Sequence, residues 1–342
     1  GITSLNIVYA DREDTIYYIS NGRFPYRNPK YDWSKVVPGN NSETLWDDTI
    51  IPLDSLPQVL NPSSGFVFNT NNTPFSSSDD KNNPKETRLN QIMGYQGEGL
   101  ENNRSSRFLE LISQYDSISY NDFKTIKYDY QYPSKLITPK AVNLEMMMHL
   151  DENKYPKISD AILLLKNWDR KSNKENQIAP LFILSYKYLD EKRKKENRIQ
   201  RNGIITLEDC IYGISKAKEE LLANYGKLEV TLGQFQRHIR DHVDLPIGGA
   251  PDVLAAIYST KQKDGRYRAF AGESYIELVR FNEDGVEIES INSYGSNANT
   301  GDIHSTSQME LFSNQKLKKM TLDKEEVLKN AVRIYHPLKV LE

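Results

Sequence analysis

Cys210 is the only cysteine in the 342-residue chain, so the chain can form neither an internal disulfide nor a cysteine metal cluster. That poverty fits the cytosol and equally a disulfide-free periplasmic protein. No run of about 18 apolar residues occurs, so no helix spanning a bilayer is expected. An excess of either charge is also missing. The 44 Lys and Arg against 47 Asp and Glu leave a net charge of −3, too small to point to nucleic acid or an anionic membrane surface. The start, Gly1-Ile2-Thr3-Ser4-Leu5, has neither the basic region nor the long apolar stretch of a signal peptide. It also has no initiator Met, so Gly1 reads as a cloning scar or a processing edge, and the natural gene is expected to continue upstream.

Several catalytic wordings are absent too. Ser274 lies between Glu273 and Tyr275 without the G-x-S-x-G elbow of an α/β-hydrolase. Gly248-Gly249 is followed by neither a third glycine nor Lys-Ser/Thr, so no phosphate loop is supported. His238 and His242 are four apart and would share one face of a helix, with Asp244 nearby. No HExxH wording accompanies them and the segment runs into a proline loop, so no metal site is assigned.

What is present describes a globular protein. The 38% hydrophobic and 27% charged content supports a substantial core, at a length for two average domains or one large domain with subregions. Leu5–Ala10 and Thr15–Ile19 read as a hairpin around Asp11-Arg12-Glu13-Asp14. Residues 23–62 are loop-rich, with six prolines. Residues 76–103 read as a polar surface loop with little core. Helical spacing starts at Arg104 with Arg107, Phe108, Leu111 and Ile112. It returns after Ser119, over Ser159–Trp168, Ala179–Leu189 and Leu207–Tyr225. The charge run Asp190–Glu196 alternates in sign without aromatics and reads as a solvated helix end. Beyond Pro251 the period turns toward two, with strands over Tyr267–Phe270, Ser274–Phe281 and Val286–Ile291 and a turn at Asn282–Gly285. The fold class expected is α+β. The divisions are 1–75, strands and wrapping loops; 76–250, mainly helical; and 251–342, returning strands.

The segment Phe66-Val67-Phe68-Asn69-Thr70-Asn71-Asn72-Thr73-Pro74 carries the most chemistry. Its apolar residues predict a strand, and its asparagines predict a turn at the strand end. A carboxamide fixed there could donate an N–H to an oxyanion during acyl transfer. The plain alternative is a polar strand-to-turn transition. Met146, Met147 and Met148 read as gap-filling core residues that could also line an acyl pocket. His149 reads as packing.

Four blocks in order extend this reading. Tyr9-Ala10-Asp11 with Gly22-Arg23-Phe24-Pro25-Tyr26-Arg27 is the first. Leu56-Pro57-Gln58-Val59-Leu60-Asn61-Pro62 through Asn71-Asn72-Thr73-Pro74 is the second. Gly233-Gln234-Phe235-Gln236-Arg237-His238 with Val243-Asp244-Leu245-Pro246-Ile247-Gly248-Gly249 is the third. Ala271-Gly272-Glu273-Ser274-Tyr275, Ser293-Tyr294-Gly295, His304 and Gln308–Phe312 form the fourth. Together they resemble the penicillin acylase family of N-terminal nucleophile hydrolases, in its aculeacin and acyl-homoserine-lactone acylase branch. The resemblance covers about residues 5–322. Asp241-His242 stands where the family has Gly-Asp, which predicts a different local turn, and Gly301–Ser305 lacks the usual Ser-Pro-His-Tyr.

The resemblance implies part of an αββα sandwich with antiparallel strands at both ends and a long helical insertion. It implies a hydrolase cleaving the amide bond of N-acyl compounds. The nucleophile is the N-terminal Ser of the family's large chain, with its own α-amine as base. It assigns Asn71 as the side-chain oxyanion donor and Arg104 as the residue orienting it, with Asn72 bonding loop backbone. Gly1 is not the nucleophile. The expectation is therefore a piece of the large chain, inactive alone, whose partners are the remainder of that chain and the small chain. No cofactor is expected; a structural calcium is known in some members, and Asp79 or Asp80 is the candidate ligand here. Localisation is expected to be periplasmic or secreted, in a bacterium. The alternative from another class is a degenerate acylase relative acting as a binding module, for instance for envelope glycans.

Overall fold

The computed structural model describes residues 4–33, 35–89, 101–138, 141–198, 203–299 and 301–336. By packing, the chain divides into two units, residues 1–237 with 246–272 and residues 238–245 with 273–342.

The first unit opens on antiparallel strands β1 (Leu5–Ala10) and β2 (Ile16–Asn21), to which β3 (Gln58–Leu60) adds on the β2 side. Asp11 closes the turn as its carboxylate accepts the Glu13 and Thr15 N–H groups, the Asx geometry that favours Asp there. Helices follow: α1 (Asn103–Ile112), α2 (Tyr120–Lys127), α3 (Ser159–Lys166), α4 (Ala179–Lys195), α5 (Leu207–Tyr225) and the short α6 (Leu232–Phe235). Each of α1, α2, α5 and α6 starts in a reciprocal capping box, from Asn102, Ser119, Thr206 and Thr231.

The core of this unit is built on α3, α4 and α5, where Ile162, Leu165, Leu181, Leu184, Ile214 and Leu221 are fully buried. Burying a side chain of that kind contributes about 1.5–3 kcal/mol. The pair α4 and α5 touches closely at Gly213, where a Cβ would lie 2.3 Å from the Ser185 carbonyl oxygen. Only glycine admits that approach. Short parallel strands β4 (Ala141–Val142) and β5 (Gly203–Ile204) pair beside the helices. Further on, β8 (Ile257–Lys261) pairs antiparallel with β9 (Tyr267–Gly272), and Gln236 and Arg237 pair parallel with Tyr267 and Arg268.

The second unit holds the remainder of β6 (Gln236–Arg240), then β7 (Val243–Pro246) up to Leu245, and a hairpin of β10 (Tyr275–Asn282) and β11 (Gly285–Asn292). Strand β12 (Lys318–Met320) adds to β11, and the helices α7 (Met309–Ser313) and α8 (Lys324–Lys329) belong here.

The α+β class and the main helices and strands agree with the sequence reading. Four local expectations do not. Phe66–Phe68 joins no sheet: Phe68 N–H donates instead to the Ser77 carbonyl across a loop. Residues 76–83 are not loosely held, since Ser77 and Ser78 are buried and the Asn83 carboxamide accepts both of their N–H groups. The part of the expected loop at 90–100 lies outside the described residues. His238 stands on strand β6 and is buried against the Ser293 carbonyl, so no helical face joins it to His242. The charge run is only partly solvated: Arg193 and Asp190 are buried, and Lys192 pairs with Asp209.

Candidate functional site

Three aromatic rings set the frame. Phe68 stacks on Phe108 of α1 with ring centroids 4.5 Å apart, and Phe66 meets the same ring edge-on at 5.9 Å. This lays the Phe66–Thr70 segment against the first turns of α1. The chain then reverses through a turn built from amide side chains. Asn72 is buried; its carboxamide oxygen accepts the Thr70 N–H at 2.8 Å, and its nitrogen donates to the Ser76 and Thr73 carbonyls. Asn69 accepts the Asn71 N–H through its own oxygen at 3.2 Å. Between them Asn71 takes a left-handed backbone with φ 63°. Asparagine tolerates that region because its short side chain bonds locally, whereas most residues are strained there.

Asn71 and Arg104, both singled out from the sequence, come together here. Arg104 is the second residue of α1, and its Nη1 donates to Asn71 Oδ1 at 3.2 Å. With the oxygen committed, the nitrogen is the end of the carboxamide left to donate. Among the described residues no acceptor takes the Nδ2 hydrogens of Asn71.

Sequence reasoning missed a third member, Asp252. Its Oδ1 accepts from Arg104 Nε at 3.1 Å, and its Oδ2 accepts both the backbone and side-chain N–H of Asn103, at 2.9 and 3.0 Å. Asp252 also has a left-handed backbone, φ 63°. The carboxylate sits at the N-terminus of α1, where helix dipole and free N–H groups favour an anion. Burial pushes the Asp252 carboxyl above its ordinary value, against the opposing pull of the Asn103 N–H and the Arg104 guanidinium. The signal for such a partner was indirect: a half-buried arginine at a helix start needs a counter-charge, but nothing local says it comes from 148 residues away. Guanidinium, carboxylate and carboxamide thus form one chain, Asp252–Arg104–Asn71, ending on a polarised amide nitrogen.

Other candidates fall elsewhere. Met147 and Met148 are buried in the core, while Met146 lines a cavity of about 520 Å³ with Leu136, Ile137, Val142 and Leu144. His149 is largely exposed and pairs with Glu145. The Oδ1 of Asp79 is taken by the Asn82 N–H and carboxamide, and among the described residues no group of three His, Cys, Asp or Glu could hold a metal. Asp241, at the family's glycine position, takes φ 51°. That is a left-handed backbone, of the kind glycine adopts without strain. Its carboxylate accepts from Ser305 Oγ at 2.7 Å.

Residues 1–329 match the model of the penicillin amidase family, and the chain belongs to it. Among curated proteins it is 21% identical over 320 residues to the acyl-homoserine lactone acylase PvdQ of Pseudomonas fluorescens, covering 85% of this chain and 40% of that protein. It is 36% identical over 72 residues to penicillin G acylase of Escherichia coli, covering 21% of this chain and 8% of that protein. The chain thus spans well under half the length of the curated relatives it matches. Among solved structures, a thermostable penicillin G acylase from Alcaligenes faecalis superposes with a TM-score of 0.55 at 17% identity, covering 97% of this chain and 67% of the other. The fold is that of an N-terminal nucleophile hydrolase. No helix among the described residues is long and apolar enough to cross a membrane.

Proposed function

We propose that this chain supplies the oxyanion-stabilising part of an amidase acting on N-acyl compounds. Asn71 Nδ2 donates to the carbonyl oxygen as it gains charge in the tetrahedral intermediate. Arg104 holds the carboxamide oxygen and draws charge from the amide, which makes its N–H a stronger donor. Asp252 holds Arg104. On this reading the nucleophile and its base lie in the part of the relatives' length that this chain does not span, since it covers 40% of the acyl-homoserine lactone acylase, and the chain alone should hydrolyse no amide. The reaction takes place outside the bacterial cytoplasm.

The observation that carries this reading is the Asn71 carboxamide, held in a left-handed turn by its neighbours and pinned by its oxygen, with the nitrogen left over. Fixed donors of this kind are what acyl transfer needs, because they require no reorganisation when charge develops. The test is release of nitroaniline from a panel of N-acyl p-nitroanilides by the protein expressed from its natural gene, with Arg104→Ala alongside. Hydrolysis that falls about 100-fold in the variant supports the reading. Hydrolysis unchanged by R104A overturns it.

A further inference from the structure

Asn102 is buried at the N-cap of α1, and both ends of its side chain are used. Its oxygen accepts the Ser105 N–H at 2.9 Å, the ordinary capping bond. Its nitrogen donates at 2.9 Å to the carbonyl of Thr70, the residue before Asn71. One planar amide therefore ties the helix carrying Arg104 to the turn carrying Asn71. Three other ties run parallel to it: Phe68 on Phe108, Arg104 on Asn71 itself, and Thr70 Oγ1 donating to Asn102 Oδ1 at 3.3 Å. The aromatic stack is non-directional, and the Arg104 bond is the one whose geometry has to be set. Among the described residues, the bond from Asn102 Nδ2 to the Thr70 carbonyl is the one that fixes this backbone against the helix start in both distance and direction. Burial of Asn102 keeps water from replacing it.

We propose that Asn102 is a positioning residue for the Asn71–Arg104 pair, acting through Thr70, separately from its role as helix cap. The catalytic side of this inference rests on the amidase reading above. The two roles can be separated because several residues cap equally well. Serine and aspartate rank with asparagine at this position, yet neither carries an amide nitrogen that reaches Thr70. Asn102→Ser removes the bond to the Thr70 carbonyl without adding charge, and Asn102→Asp removes it with an isosteric side chain that still accepts from Thr70 Oγ1.

Amide hydrogen exchange in the 342-residue chain reads the link without any need for turnover. In N102S and N102D the Ser105 amide should stay as protected as in the unsubstituted chain. The Thr70 and Asn71 amides, held by Asn72 and Asn69, should exchange roughly 10-fold faster or more, the response to a loosened local segment. In the protein expressed from its natural gene, kcat on N-acyl p-nitroanilides should fall about 10- to 100-fold with KM nearly unchanged, as misplacement of a catalytic group predicts. Turn amides that exchange as before in both variants overturn the proposal, as does an unchanged kcat. If the unsubstituted protein hydrolyses none of the panel, the amidase reading fails by itself, and the exchange pattern still decides whether Asn102 sets the turn.

Discussion

Arg104 Nη1 and Asn71 Oδ1 lie 3.2 Å apart, and this bond fixes which end of the Asn71 carboxamide is left to donate. An asparagine in a left-handed turn can rotate its amide either way. Here the guanidinium, itself held by Asp252, accepts only one orientation, because it donates and cannot accept.

Replacing Asn71 tests the donor directly, and the backbone decides how. Asn71→Gly removes the carboxamide while keeping a residue at ease with φ 63°. Asn71→Ala removes it and also adds about 1–2 kcal/mol of left-handed strain. In the protein expressed from its natural gene, both variants should lose about 100- to 1000-fold in kcat/KM on N-acyl substrates. Only N71A should also lower the urea midpoint. Equal activity in N71G and the unsubstituted enzyme would refute the oxyanion role.

Asp252→Asn separates catalysis from stability by opposite signs. Because the folded carboxyl is raised above its ordinary value, the Asp252 contribution to stability is fully present below the unfolded pKa of about 3.9. It is lost as pH rises through the raised folded value. An asparagine does not titrate, so the stability difference should move in favour of D252N between about pH 4 and pH 7. Turnover should fall, since Arg104 loses its anionic partner. Urea melts at the two pH values check the first part; a difference that moves toward the unsubstituted chain contradicts the burial argument.

Phe68→Ala should cost about 3–5 kcal/mol, the range for truncating a buried phenylalanine. Phe66→Ala should cost less, because Phe66 is only half-buried. A larger loss for F66A in thermal melts would show that the aromatic frame is ordered differently.

How far this was legible in the sequence follows from the range of each interaction. Leu207–Tyr225 shows its period, its capping box and its closing Gly226 within one stretch, and the helix forms over those bounds. Asn71 and Arg104 could be singled out because motif wording and local turn chemistry coincide, and the structure brings the two within hydrogen-bond distance. Phe66–Phe68 misled for a related reason: strand propensity measures fit to a half-buried surface, and here that surface is the Phe108 ring and not a neighbouring strand. Asp252 and the Asn102–Thr70 bond were invisible, since both depend on where distant segments meet. Strand β6 was missed because four of its five residues are polar and carry no alternation to read.

The sharpest pH prediction lies away from this site, at Asp209. Burial alone would raise its carboxyl, but Arg198, the Thr206 N–H and Lys192 outweigh it and hold the group below the usual carboxylate range. A depressed folded pKa contributes stability that is present above the unfolded value of about 3.9 and is lost as pH falls toward the folded one. Asp209→Asn preserves the acceptor for Thr206 N–H, so the cap of α5 survives. It leaves Arg198 and Lys192 facing a neutral amide in a position that is fully buried. The variant should therefore be less stable by about 3 kcal/mol at neutral pH, the scale for removing one partner of a buried ion pair. That deficit should shrink progressively below about pH 4, as the unfolded chain's carboxyl takes up a proton that the folded one, held lower, does not. Urea midpoints measured from pH 7 down to pH 3 decide it. A deficit that stays constant across that range would mean Asp209 acts as a cap acceptor alone, with its charge contributing nothing.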